Sequence, residues 1–280
     1  MIKTTQIQLQ NVALYVAIAG PEDGPAVLLL HGFPDAWFGW ENQIKTLAQK
    51  GYFVIAPNQR GYAKSAQPLA VKDYSLNLLA DDIIALADYF NLSTFYLAGH
   101  DFGGMVAWII AAKHPQRIKK LAILSAPHLL ASWEYNQTHW QQKFKSWYIL
   151  FFQLSVVPEF VLRRFNFYAL INNLPLDLSA AQKNRYRMNW QEKQVLSTML
   201  NWYRALLKDL KTKQLKGSNI AVDTLIMWGA KDKYLHKDLA RLSLKYCSNA
   251  QLKIFEGTGH WLMHDQNDAV TDLLIKHFSN

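Results

Sequence analysis

Eleven consecutive residues constrain this chain more than any other stretch: Phe95-Tyr96-Leu97-Ala98-Gly99-His100-Asp101-Phe102-Gly103-Gly104-Met105. An apolar run, a glycine-crowded turn and a helically spaced segment predict a strand, a sharp turn and a helix. Small residues on both sides of Asp101 suit a turn that presses strand and helix too close for side chains. Such a turn lifts its central residue out at the carboxyl end of a sheet, where α/β proteins carry their sites.

The rest of the chain repeats this alternation. Short apolar runs at Ala26 to Leu30, Tyr52 to Ala56, Phe95 to Ala98, Leu121 to Leu124, Thr224 to Trp228 and Leu252 to Phe255 predict buried strands of a parallel sheet. Helical spacing fills the gaps at Trp37 to Gln49, Leu76 to Phe90 and Met105 to Lys113, the last closed by His114-Pro115. Ahead of them, Ile7, Leu9, Val12, Leu14, Val16 and Ile18 alternate with period two, as in two strands and unlike a signal peptide. From Leu129 to Lys216 the strand signal gives way to a helical pattern rich in Trp, Tyr and Phe. The expectation is an α/β core over residues 1–128 and 217–280 with a helical cap, 129–216, inserted in it.

Composition sets the bounds. A chain of 280 residues, half of them hydrophobic, can bury a full core and an apolar pocket. The single cysteine, Cys247, excludes an intramolecular disulfide and a cysteine metal cluster, which permits a reducing compartment and gives a cytoplasmic expectation. The longest apolar stretch, Trp147 to Pro158, is broken by Gln153 and Ser155 and is too short to span a bilayer. The net charge of +9 is carried by residues 139 to 217, with thirteen Lys/Arg against four Asp/Glu. An acidic partner, an anionic membrane surface or nucleic acid would suit such a block, but a solvated outer face is the simpler reading, and no nucleic-acid function is assigned.

Asp101 stands where a turn of this kind usually places a serine nucleophile. A carboxylate attacking an ester carbonyl gives an anhydride; attacking an sp³ carbon with a leaving group, it gives a stable alkyl ester. The expected substrates are therefore epoxides or alkyl halides, and capping the following helix is the simpler alternative role for Asp101. After Val27 to Leu30 comes His31-Gly32-Phe33-Pro34, the loop that supplies one oxyanion N–H, the other coming from the residue after the nucleophile. Phe33 and Phe102 are the candidates through their backbones, unless the first motif is merely a turn. Two further loops, Gly229-Ala230-Lys231-Asp232 and Gly257-Thr258-Gly259-His260-Trp261, complete the order nucleophile, acid, histidine. His260 can deprotonate water, with Asp232 fixing its tautomer. His264 competes but lies beyond the glycine-flanked turn, and His100, His114 and His128 are expected to be scaffold residues. No metal-ligand spacing occurs.

These motifs resemble the soluble epoxide hydrolases of the α/β-hydrolase superfamily over essentially the whole chain. The matching runs are His31-Gly32-Phe33-Pro34, Arg60-Gly61-Tyr62, Gly99 to Met105, Gly259-His260-Trp261 and Asn201-Trp202-Tyr203-Arg204. The resemblance implies an α/β-hydrolase fold, a mostly parallel sheet flanked by helices with a helical cap, and no cofactor. It also implies a cis peptide at Phe33-Pro34 and two cap tyrosines on the epoxide oxygen, an oxygen that stays attached as an alkoxide and needs a proton donor. Tyr203 matches one; Tyr148 is assigned as the other, with Tyr135 and Tyr168 also in the cap. Phe33, Phe102, Trp202 and Trp261 are the expected substrate contacts.

Haloalkane and haloacid dehalogenases share most core motifs and are the rival enzymes. Phe102 replaces a tryptophan whose indole N–H holds halide in dehalogenases, and the cap tyrosines favour the epoxide. A non-catalytic ligand-binding protein of the same fold is the rival from another class. The expected partners are a small apolar epoxide and water, with no nucleic acid and no transmembrane segment, in a monomer or homodimer.

Overall fold

A computed structural model describes residues 1–175, 177–211 and 219–279. Eight strands form one sheet: β1 (Lys3–Gln8), β2 (Ala13–Ala19), β3 (Ala26–Leu30), β4 (Phe53–Asn58), β5 (Phe95–His100), β6 (Ile118–Leu124), β7 (Thr224–Gly229) and β8 (Ala250–Phe255), in the order β1-β2-β4-β3-β5-β6-β7-β8. β1/β2 and β2/β4 pair antiparallel and every later pair is parallel. Because β4 lies on one side of β3 and β5 on the other, the strand order reverses between β3 and β5 and leaves a crevice at their carboxyl ends.

The helices of the core are α1 (Glu41–Gln49), α2 (Leu76–Tyr89), α3 (Phe102–Lys113) and three C-terminal ones described below. Between β6 and β7 lie α4 (Leu129–Thr138), α5 (Trp140–Lys145), α6 (Trp147–Phe151), α7 (Val157–Ile171), α8 (Ala180–Gln191) and α9 (Val195–Lys211), after which α10 (Asp238–Ser243), α11 (Leu262–Asp265) and α12 (Asn267–Ser279) return to the core. The boundary expected at 216/217 falls outside the described residues. Among the described residues, no helix is long and apolar enough to cross a membrane.

β3, β4 and β7 are buried along their whole length, as uninterrupted apolar runs between two helical layers should be. β8 departs from the expected buried strand: Gln251 and Lys253 are exposed, because β8 is an edge with a neighbour on one side only. β6 starts at Ile118, earlier than its apolar run, because Ile118 already pairs with Phe95 of β5; the register then shifts before Leu121 pairs with Leu97. The segment from Trp37 opens with one 3₁₀ turn over four buried residues before α1 begins.

Hydrogen bonds from side chains stitch the inserted helices to the core. Trp190 Nε1 donates to Pro34 O at 2.9 Å, and the Tyr186 hydroxyl donates to the buried Asp35 carboxylate at 2.8 Å, so α8 holds the loop after β3. In α9, Thr198 donates to Gly61 O, Asn201 to Leu69 O and Trp202 Nε1 to Arg60 O. Arg204 in turn binds the carbonyls of Phe152 and Leu154 and the Glu159 carboxylate, tying the α6–α7 connection to α9.

Candidate active site

β3 and β5 pair with Leu30 opposite Gly99, so their exits lie level. Phe33 N–H donates to Asp101 Oδ1 at 2.9 Å. A Cβ at Gly32 would overlap the Asp101 side chain, and one at Gly103 would overlap the Leu30 carbonyl carbon. Glycine is therefore required where these two loops meet. Asp101 itself has φ 52 and ψ −123, an unusual conformation for a residue with a side chain. Its side chain makes no capping bond to α3, so the simpler capping role is not what the carboxylate does. Phe102 is the first residue of α3, where a backbone N–H has no acceptor within the helix. The Phe33-Pro34 peptide is cis.

β7 and β8 end in the loops that carry Asp232 and His260. His260 Nδ1 donates to Asp232 Oδ2 at 2.7 Å, and its Nε2 stands 3.5 Å from Asp101 Oδ2. Asp232 Oδ1 accepts the N–H groups of Tyr234 and Leu235 at 2.8 and 3.0 Å, and Lys145 Nζ reaches the Asp232 carbonyl at 2.7 Å. The imidazole is thus aimed at Asp101 by a carboxylate that is itself fixed. His100 Nε2 donates to the His260 carbonyl at 2.9 Å; burial lowers its pKa to about 4, so it is a neutral scaffold residue. His128 caps α4 through Nδ1 and is likewise lowered by burial to about 4. His264 is turned away to Asp35, with Nε2 3.9 Å from Oδ2.

Burial alone would depress the His260 pKa, but the charges and hydrogen bonds of Asp232 and Asp101 override it and raise the group to about 10. For Asp101 burial acts upward, yet the bond and charge of His260, helped by Phe33 N–H, hold the carboxyl below its ordinary value. The resting pair is therefore imidazolium and carboxylate. Stability from a raised histidine is complete below its unfolded pKa of about 6.5 and is lost as pH climbs through the folded value. Urea midpoints are accordingly expected to fall more steeply toward about pH 10 in the wild type than in His260→Gln. Parallel curves would contradict the pairing.

Asp101 and His260 line a cavity of about 390 Å³ together with Phe33, Tyr148, Tyr203 and Trp261. Tyr148 from α6 and Tyr203 from α9 face each other with ring centroids 5.8 Å apart. Both phenols are pushed well above the usual tyrosine range, by burial first and with a contribution from the Asp101 charge, which keeps them protonated donors. Tyr135 is committed to His236 at 3.0 Å and Tyr168 is exposed, so neither of these other cap tyrosines shares the cavity wall.

Two expected substrate contacts are placed elsewhere. Trp202 is 1% exposed and packs against Tyr62 and Phe102 behind the wall, because its indole is bound to the Arg60 carbonyl and consecutive helical residues point about 100° apart. The Phe102 ring is wedged between Trp202 and Tyr203 and does not line the cavity, while its backbone remains at the mouth of α3. Sequence reasoning missed Tyr234, whose ring lies 5.1 Å from that of His260, and Phe152, which packs on Tyr203 at 5.0 Å. The run Asp232-Lys233-Tyr234 carried a usable signal for the first: a loop residue two after the acid is well placed to cover the histidine.

The α/β hydrolase fold family matches residues 25–266. The AB hydrolase superfamily protein YfhM of Bacillus subtilis is 36% identical over 100% of this chain and 99% of that protein. Epoxide hydrolase 4 of Mus musculus is 34% identical over 93% of this chain and 74% of its own length. Among solved structures, an epoxide hydrolase of Bacillus megaterium in complex with an inhibitor is 25% identical, covers 99% of this chain and 100% of that one, and superposes with a TM-score of 0.90. The eight-stranded sheet, the strand-end loops and these relatives agree, and the chain belongs to the epoxide hydrolases of the α/β-hydrolase fold family.

Proposed function

We propose that this protein converts an apolar epoxide to a vicinal diol through a covalent ester on Asp101. The observation that carries the reading is one cavity lined by a carboxylate, a histidine and two protonated phenols. Asp101 Oδ2 attacks an epoxide carbon; the C–O bond of the ring breaks, and the departing oxygen takes a proton from Tyr148 or Tyr203. Esterification removes the negative charge of Asp101, one of the two that hold the His260 pKa up. The imidazolium then gives up its proton, restoring the tyrosine through solvent, and becomes the base.

In the second half, neutral His260 takes a proton from water as the water oxygen attacks the Asp101 carbonyl carbon. The resulting oxyanion is received by the N–H groups of Phe33 and Phe102. Collapse expels the diol oxygen, which His260 protonates, and the Asp101 carboxylic acid left behind passes its proton to His260, restoring the resting carboxylate and imidazolium. Asp232 holds the tautomer throughout. No step calls for a cofactor. Helices α4 to α9 act as the cap that closes this chemistry off from water, and a chain with one cysteine suits the cytoplasm, as monomer or homodimer.

Diol formation and halide release measured over matched epoxides and alkyl halides test the reading. Diol without halide is expected. Tyr203→Phe and Tyr148→Phe should each lower kcat on epoxides by roughly ten- to a hundredfold, and the double variant by about 10³-fold or more, since a well-placed acid contributes about 10²–10⁴. Halide release that is equal or faster, and insensitive to both tyrosines, would favour a dehalogenase.

A further inference from the structure

The mouth of the cavity has a surface unlike the rest of the molecule. Of the seventeen large hydrophobic side chains exposed among the described residues, twelve fall within residues 133–168, about an eighth of the chain. Phe144 and Trp147 are 69% and 61% exposed and yet line the cavity, together with the exposed Val161, so the apolar surface runs continuously from outside into the site. Trp140 packs against Phe144 at 5.5 Å and extends this surface outward. Phe160 and Phe165 extend it on the α7 side, each with the Arg164 guanidinium over its ring, at 5.0 and 5.6 Å. Isolated exposed apolar residues are ordinary; a set this dense around an opening marks an interaction surface.

The charges on the same segment are mostly positive. Residues 139–175 contain Lys143, Lys145, Arg163 and Arg164 against one carboxylate, Glu159, and Glu159 is paired with Arg204 at 2.9 Å. Lys233, from the loop after β7, lines the opening as well. Exposed aromatic rings framed by cations are what inserts shallowly into the headgroup layer of an anionic bilayer, the rings entering the acyl boundary and the cations meeting lipid phosphates.

We infer that the cap docks through α5–α7 on an anionic lipid surface and draws lipophilic epoxides from the bilayer into the cavity through the Phe144–Trp147–Val161 opening. This inference names the substrate class and rests on the epoxide reading above. It explains why cations gather around the opening and why the apolar residues there stay uncovered. Within the cavity the chemistry is unchanged; what the surface adds is access to epoxides whose concentration in water is low.

Co-sedimentation of the full-length protein with vesicles of phosphatidylcholine, alone or mixed with phosphatidylglycerol, tests it, with turnover of water-soluble styrene oxide measured on the same samples. Binding is expected to the anionic vesicles only, and to weaken with added salt. Trp140→Ser with Phe165→Ser, and separately Lys143→Glu with Arg164→Glu, should each lower the anionic-vesicle partition coefficient on the order of tenfold or more. Styrene oxide turnover should stay near the wild-type level in both, since none of these four side chains lines the cavity. Three results would overturn the docking proposal: no preference for anionic vesicles, binding indifferent to both pairs of substitutions, or a change in self-association without vesicles that accounts for their effects. Wild-type protein that binds vesicles but opens no epoxide would instead sink the catalytic reading.

Discussion

Asp101→Ala is expected to lower epoxide turnover by about 10⁴-fold or more, because removing the nucleophile of such a constellation leaves only binding and oxyanion stabilisation. No other carboxylate in the cavity can take its place: Asp232 is bound on Oδ1 by two backbone N–H groups and on Oδ2 by His260, and it does not line the cavity. Folding should be little affected. The variant loses a buried carboxylate that His260 neutralises, but His260 keeps Asp232, so no uncompensated imidazolium is left. The variant's backbone at φ 52 is one that alanine adopts less readily than aspartate, so a small drop in melting temperature is expected from that position alone. Initial rates of diol formation, with a thermal melt alongside, check both halves. A variant that kept its rate within about tenfold would show that another group attacks, since direct water attack assisted by His260 does not need a nucleophile at 101.

What could be read from the sequence divides along the range of the interactions involved. The elbow at Asp101, the Phe33 loop and the loops of Asp232 and His260 were legible because local spacing writes them: a buried strand, a tight turn, and glycines where two backbones touch. Phe33 N–H on Asp101 and His260 on Asp232 are brought together by the pairing of β3 with β5 and of β7 with β8, which sets their exit loops side by side. The cap was less legible. A run of aromatics at helical spacing does not say which ring faces substrate and which is buried behind it, and Trp202 beside Tyr203 is the clearest case. The indole of Trp202 is claimed by a carbonyl 142 residues away, an interaction no local pattern carries. The Tyr148 assignment rested on resemblance; the turn after α6 is tied to α9 by Arg204 on the Phe152 and Leu154 carbonyls, contacts across 52 and 50 residues that no local pattern carries. The same long-range logic hid Tyr234, and the edge position of β8 hid the exposure of Lys253.

His260→Gln separates the two halves of the proposed reaction. Glutamine keeps much of the histidine's volume but cannot take a proton from water, so hydrolysis of the ester should slow by about 10⁴-fold. Ring opening needs the Asp101 carboxylate, the Phe33 N–H and the two phenols, all of which survive the substitution. The variant should therefore turn over once and stop. Loss of the imidazolium also removes the charge that holds the Asp101 pKa down, so the burst should be confined to pH above the resulting higher value, whereas the wild-type nucleophile stays ionised to lower pH.

Mass spectrometry of His260→Gln after brief incubation with an epoxide reads the central claim directly. One equivalent of the whole epoxide mass is expected on the protein, localised to Asp101 on the peptide that contains Gly99 to Met105. An alkyl halide that reacted would instead leave an adduct short of the hydrogen halide. Unmodified protein beside newly formed diol, or an adduct on any residue other than Asp101, would contradict a covalent ester at the elbow.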